Sequence, residues 1–179
     1  MTEQVRPEAL GWLGLWLSIM GLAMFLRILP LDLTAGGWPR PDFLLALTLG
    51  WVLRRPGHLP ALAIVLVWLV EDLLTLRPPG LWALMVLAGT EFLRQRHGVV
   101  REIGLGLEWA MVAGVLVAMW LGQQLILVIV MVPRPPLDLS LIQLFGTVAV
   151  YPLAIAFLHF VLRVRKPAIG EVDALGRKL

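Results

Sequence analysis

The chain has no cysteine among its 179 residues and only three histidines. The lack of cysteine excludes disulfides, thiolate metal sites and cysteine nucleophiles. Three scattered histidines also argue against a catalytic metal, because a catalytic zinc needs three protein ligands that converge on one point. We therefore expect no metal and no cofactor.

Charge is scarce as well. Asp, Glu, Lys and Arg make up 15% of the chain, against about 25% in an average soluble domain. Hydrophobic residues account for 59%, and the mean hydropathy is +0.86. This composition predicts an integral membrane protein that contacts the lipid bilayer. Basic residues in such a chain are typical of cytoplasmic loops, so no nucleic-acid partner is expected.

Enzymatic signatures are missing too. The chain contains no G-x-S-x-G elbow, no H-E-x-x-H motif, no P-loop and no G-x-G-x-x-G. Each of these motifs places a nucleophile, a metal or a phosphate at a defined turn or helix end. Their absence favours a protein that is not an enzyme.

Long apolar segments dominate what is present. A membrane helix needs about 20 apolar residues, and six apolar segments are candidates: 9–29, 43–53, 59–76, 80–93, 104–132 and 137–162. Because the connections are short, we predict an all-α integral membrane protein of about six transmembrane helices. Residues 1–162 form one membrane-embedded domain, and residues 163–179 form a basic cytoplasmic tail. The second segment covers only roughly 17 Å as a helix, and the sequence leaves open whether residues 41–55 cross fully.

The basic residues predict the orientation. Eleven of the 15 lie on one side of the predicted spans, and the side rich in Arg and Lys faces the cytoplasm. Both termini are therefore expected in the cytoplasm. The remaining four, on the outer side, are Arg27, Arg40, Arg77 and Arg134.

Two adjacent carboxylates, Glu71 and Asp72, interrupt the third apolar segment. A carboxylate in the hydrocarbon region is costly unless it has a partner. Arg27, Gln123 and Gln124 lie at similar predicted depth, so we expect a polar cluster of these five residues in which Arg27 or Gln124 pairs with Asp72. Such a cluster joins helices, carries a proton or substrate, or docks a partner, and the sequence leaves these roles open.

Other polar residues have local interpretations. Glu91 is expected to pair with Arg94, three residues further along the same helix. Glu108 and His159 are expected near the inner membrane surface.

Small residues recur every four positions in the fifth segment, at Gly106, Ala110, Gly114 and Ala118. In lipid such a row allows two helix backbones to approach closely. We call it the small-residue ridge. It is expected to form a close helix contact, within the protein or with a partner.

Residues 40–96 carry a recognisable series of short motifs. A Pro-Asp helix start is followed by an aromatic residue and an Arg-Arg-Pro helix end, then by an Asp-x-Leu helix and a Pro-Gly turn. The matching residues are Pro41, Asp42, Leu44, Leu45, Trp51, Arg54, Arg55, Pro56, Asp72, Leu74, Pro79 and Gly80, with Arg77 beside the turn. This stretch resembles the MreD family of rod shape-determining membrane proteins. The chain departs from the family pattern at Trp68, Val70 and Glu71.

The resemblance implies a non-enzymatic scaffold of the peptidoglycan elongation machinery, the elongasome, that helps maintain cell shape. It implies MreC as the direct partner, and MreB, RodA and a class B penicillin-binding transpeptidase as indirect ones. The implied fold is similar to the substrate-binding S-components of energy-coupling-factor transporters. That similarity supplies the alternative function, a small-molecule-binding membrane subunit of a vitamin transporter.

Overall fold

The structure is a computed structural model that describes residues 7–29, 40–98 and 103–164. Over these residues the predicted all-α class is confirmed: there are six α-helices, one 3-10 turn (Pro56–His58) and no strands. The helices are α1 (Pro7–Ile28), α2 (Phe43–Arg54), α3 (Ala61–Leu74), α4 (Leu81–Gln95), α5 (Leu105–Ile129) and α6 (Leu137–Phe160). The predicted basic tail lies almost wholly outside the described residues, which reach only Val164.

Three of these helices are long and apolar enough to cross a membrane: Ala9–Arg27 within α1, α5 and α6. Only 17%, 33% and 28% of their most apolar windows are buried inside the protein. Surfaces this apolar are stable when lipid covers them. These helices indicate a membrane protein, as the composition predicts.

The other three helices are shorter than a full span. Helices α2, α3 and α4 have 12, 14 and 15 residues. Proline sets several of their limits, because it fits the first turn of a helix but disfavours helix in the residue before it. Pro60 precedes α3, and Pro78 and Pro79 separate α3 from α4. Helix α3 is therefore four residues shorter than its predicted span, 59–76.

Left-handed residues end α3 and α5. Leu76 and Met131 have φ angles of 54° and 55°, a conformation that costs a non-glycine residue roughly 1–2 kcal/mol. In each case the next amide closes the helix: Arg77 N donates to Asp72 O at 3.0 Å, and Val132 N to Leu127 O at 3.1 Å. A proline then follows each pair, so the chain turns sharply.

Helix α2 lies at the centre of the bundle. Every residue from Leu44 to Arg54 is buried, and the helix packs against α4 and α6. A helix that is apolar on all sides is stable when other helices surround it. Its indole neighbour Trp16 of α1 donates from Nε1 to Thr48 Oγ1 at 3.3 Å. Helix α2, although short, is therefore enclosed by other helices along almost its whole length.

Candidate functional site

Arg27 joins three elements at one end of the bundle. Its guanidinium donates to Glu71 Oε1 on α3, and it lies 3.2 Å from Asp42 Oδ1 at the start of α2. The Glu71 and Asp42 side chains are only 2% and 7% exposed. One arginine at the end of α1 thus compensates two buried carboxylates and holds α1, α2 and α3 together.

Asp42 also begins α2. Its Oδ1 accepts from Leu45 N at 3.1 Å, which satisfies one of the free amides of the first turn. Its own backbone N donates to Thr147 Oγ1 at 2.9 Å, and that hydroxyl donates to Gln143 O at 2.7 Å. Asp42 of the Pro-Asp motif therefore caps α2 and joins the start of α2 to α6 through the hydrogen bond to Thr147.

Asp72 has a different partner from the one expected. Its Oδ2 accepts from the backbone amides of Gly80 at 3.0 Å and Ala83 at 3.2 Å. Asp72 thus caps α4 from the preceding helix, and pairing with Arg27 or Gln124 is wrong. The physical reason is the rotation of about 100° between adjacent helical residues, which directs Glu71 to Arg27 and Asp72 to α4.

The Arg-Pro-Pro-Gly turn shapes this cap. Gly80 has φ +86°, which glycine adopts at little cost because it lacks a Cβ. That conformation turns the chain so that the first amides of α4 reach Asp72. The Arg77 guanidinium lies over the Trp82 ring, 5.7 Å from its centroid.

Gln123 and Gln124 lie apart from these carboxylate contacts. Both line a cavity of about 360 Å³ at the end of the bundle where α3 meets α4 and α5 meets α6. We call this end the proline end, because Pro78, Pro133, Pro135 and Pro136 line the cavity. Asp42 also lines it, so the cavity borders the Arg27 contacts. The five-residue cluster expected from the sequence is thus divided into an ion-pair group, a helix cap and a cavity wall.

A second polar group lies at the end of the bundle opposite the proline end. The sequence did not predict it. Arg54 Nη1 of α2 donates to Glu108 Oε1 of α5 at 2.7 Å, and Tyr151 of α6 donates its hydroxyl to the same oxygen at 2.7 Å. The Arg54 and Glu108 side chains are 6% and 0% exposed. Glu108 lies in the first turn of α5 and is buried among the helices, a burial that the sequence did not predict. The sequence signal for this pair is a basic residue at the end of one predicted helix, Arg54, and an acidic residue at the start of another, Glu108, at the same predicted depth.

The small-residue ridge faces outward. Gly106, Ala110, Gly114 and Ala118 are all exposed, and among the described residues no atom beyond the adjacent residues and the local helix backbone would lie within 4 Å of a Cβ added at Gly106 or Gly114. The close helix contacts occur at other glycines. A Cβ at Gly89 of α4 would lie 2.6 Å from Met119 Sδ of α5. Of the two expected roles of the ridge, packing within the described chain is therefore wrong.

Arg94 stabilises the connection between α2 and α3. Its Nε lies 3.0 Å from Glu91 Oε1, which confirms the expected pair. Its terminal nitrogens also donate to Pro56 O and Leu59 O, both at 2.7 Å. This arginine therefore does more than pair locally, since it fixes the 3-10 turn against α4.

His58 sits in that turn between two indoles. Its ring stacks on Trp12 with centroids 5.5 Å apart, and Trp51 Nε1 donates to its Nδ1 at 3.4 Å. Burial, followed by the positive charge of Arg55, lowers the pKa of His58 to about 4. Both causes disfavour the imidazolium form.

We expect His58 to stay neutral until the pH falls to about 4. Because its folded pKa is lowered, its contribution to stability is complete above the unfolded value of 6.5 and declines as the pH falls towards 4. The measurement is a pH titration of ¹⁵N-labelled histidine by NMR in a variant that lacks His97 and His159. A midpoint near 6.5 would contradict the half-buried, indole-stacked geometry of His58.

Within the described residues no group of three or more His, Asp or Glu side chains is placed to hold a metal ion. Comparisons with protein-family models, with curated proteins and with solved structures found no match. The functional argument therefore depends on the geometry and on the short motifs of residues 40–96.

Proposed function

We propose that this protein is a non-enzymatic membrane scaffold of the MreD type that binds MreC in the cell-wall elongation machinery. In this proposal all six helices contribute to the membrane domain, in a fold like that of energy-coupling-factor S-components. The protein lies in the inner membrane with both termini in the cytoplasm. MreB, RodA and the transpeptidase are reached through MreC.

The outward-facing small-residue ridge on α5 is the observation that carries the proposal. A scaffold for a single-span partner needs a helix surface that the partner backbone can approach closely, and small residues at four-residue spacing supply one. The ridge is exposed, and the surroundings of Gly106 and Gly114 are open. Lipid contact alone does not require such a row.

The family-type motifs also support a scaffold. Asp42 caps α2, Asp72 caps α4, and Gly80 supplies the left-handed turn between α3 and α4. Each of these three motif residues therefore has a structural role in the helix bundle. Carboxylates already committed to helix ends and to Arg27 favour a structural role over proton transfer.

Replacing Gly114 by leucine is expected to reduce MreC co-purification at least tenfold while leaving the fold intact. Leucine would hold the partner helix away from the ridge, yet among the described residues its Cβ meets no atom within 4 Å beyond the adjacent residues and the local helix backbone. The measurement is the amount of MreC recovered with the tagged protein from membranes, together with cell shape.

Gly21→Leu is the matched control, because Gly21 of α1 is equally open but lies on another helix. It should leave MreC binding unchanged. Gly89→Leu should impair folding, because Met119 already occupies the space. Equal MreC recovery with Gly114→Leu and wild type would exclude the ridge as the docking face.

The cavity at the proline end favours a second candidate function, the small-molecule-binding membrane subunit of a transporter. Its volume of about 360 Å³ falls within the usual range for ligand sites. A subunit of this kind would co-purify with an ATPase partner at its cytoplasmic surface. Recovery of MreC without an ATPase would favour the scaffold.

A further inference from the structure

The start of α5 has little packing to hold it in place. From Gly104 to Ala110 only Glu108 is buried, and the other six residues are exposed. This segment carries the first half of the small-residue ridge, Gly106 and Ala110. Because glycine and alanine offer almost no side chain to a neighbouring helix, polar contacts set the position of this part of α5.

Two adjacent residues of the segment make such contacts, and both reach the same turn of α6. Glu108 accepts from the Tyr151 hydroxyl, and Trp109 Nε1 donates to Val148 O at 2.8 Å. Trp109 is 41% exposed, so its hydrogen bond lies at the surface of the bundle. The Glu108 contact, by contrast, lies in the interior.

The acceptor of Trp109 has a particular place in α6, because the residue four positions after Val148 is Pro152. In an α-helix the carbonyl of residue 148 accepts from the amide of residue 152, and proline has no N–H to donate. Membrane helices tolerate proline where a neighbouring helix satisfies the freed carbonyl. The Trp109 indole does so here, and Trp109 and Pro152 therefore form a matched pair that joins α5 to α6.

We propose that Trp109 is a positioning residue for the small-residue ridge. By donating to the carbonyl that Pro152 leaves without its helical donor, Trp109 fixes the start of α5 on α6 so that Gly106 and Ala110 face the partner helix. This role rests on the proposed docking of MreC to the ridge. Tryptophan is also common as an anchor at the membrane surface, but an anchor needs neither the Val148 carbonyl nor Pro152.

The first test measures distances in the full chain, which has no cysteine to interfere with spin labelling. Labels replace Leu107 of α5 and Leu62 of α3, which are 61% and 69% exposed. In lipid nanodiscs Trp109→Phe, which keeps an apolar ring and removes the N–H, should at least double the width of the label distance distribution. MreC recovery should fall at least threefold.

Two controls accompany this measurement. A second label pair at the proline end, on Leu125 of α5 and Leu73 of α3, should keep its width in Trp109→Phe, because these residues lie far from the start of α5. Trp120→Phe is the matched tryptophan variant. Its indole nitrogen has no hydrogen-bond partner within the described part of the chain, so both widths should stay unchanged.

The second test uses Pro152→Ala, which gives residue 152 an N–H for Val148 O. With proline present, Trp109→Phe leaves that carbonyl unpaired and should raise the equilibrium constant of unfolding about tenfold. With alanine at position 152 the same substitution should raise it less than about threefold. Unfolding in mixed micelles is followed by far-UV circular dichroism, because the substitution removes a tryptophan.

Unchanged label widths or unchanged MreC recovery in Trp109→Phe would overturn the positioning role and leave the scaffold standing. An equal rise of the unfolding constant with proline and with alanine would also overturn it, and would indicate a membrane-surface anchor. If the labels respond to Trp109→Phe but wild-type protein recovers no MreC, the scaffold fails, whereas the fixing of α5 to α6 stands.

Discussion

Replacing Glu108 by glutamine is expected to lower the free energy of unfolding by about 3–5 kcal/mol. The change removes the negative charge that compensates Arg54, which is 5% exposed in the interior. The guanidinium would then have only neutral acceptors such as Gly50 O, which do not offset the hydration that a buried charge has lost. Equilibrium unfolding in mixed detergent micelles, followed by tryptophan fluorescence, measures the effect.

Two comparisons show whether burial causes the loss. The triple variant Arg54→Met, Glu108→Leu, Tyr151→Phe should recover most of the stability, because apolar residues can replace a buried ion pair at little cost, and phenylalanine removes the Tyr151 hydroxyl that would otherwise lose its acceptor. Glu91→Gln removes the carboxylate of a partly exposed pair with Arg94 and should cost less than about 1 kcal/mol. Equal losses for Glu108→Gln and Glu91→Gln would show that the Arg54 pair is not buried as described.

Replacing Asp72 by alanine is expected to cost about 2–3 kcal/mol of stability. The amides of Gly80 and Ala83 lose their acceptor at the start of α4, and both the lost cap and the unpaired buried donors contribute. The same micelle unfolding measurement applies. Protection of the first turn of α4 from hydrogen exchange should fall with it.

Asparagine at position 72 distinguishes capping from ion transport. It keeps an oxygen that accepts from both amides, so Asp72→Asn should cost less than about 1 kcal/mol and preserve MreC recovery. A proton carrier would lose activity with asparagine, because the amide does not titrate. Asparagine as damaging as alanine would contradict the capping role.

The polar residues show how far sequence reasoning reached. The sequence placed Arg27 at the depth of the two carboxylates but assigned it, or Gln124, to Asp72, whereas Arg27 pairs with Glu71. The partner of Asp72 was not readable, because backbone amides carry no mark in a sequence. The ion pair of Arg54 with Glu108 was missed for a related reason: each residue had a sufficient local explanation as a helix end or an interface residue.

The ridge and α2 show the same limit for apolar residues. The spacing of Gly106, Ala110, Gly114 and Ala118 predicted a close helix contact but left its partner open. The described helices pack at Gly50 and Gly89 instead. Helix α2 was recognised as short, yet its central burial depends on neighbours that are far away in the sequence.

The sequence by itself determined the helical class, the six helices and the membrane character, because apolar length and proline position act within one segment. Only the tertiary structure decided which side of each helix faces its neighbours. That rotation assigns Glu71 to Arg27 and Asp72 to α4, turns the small-residue ridge outward, and places Gln123 and Gln124 in the wall of one cavity. The rotation of each helix about its axis depends on contacts with all its neighbours, so the sequence of a single segment does not determine it.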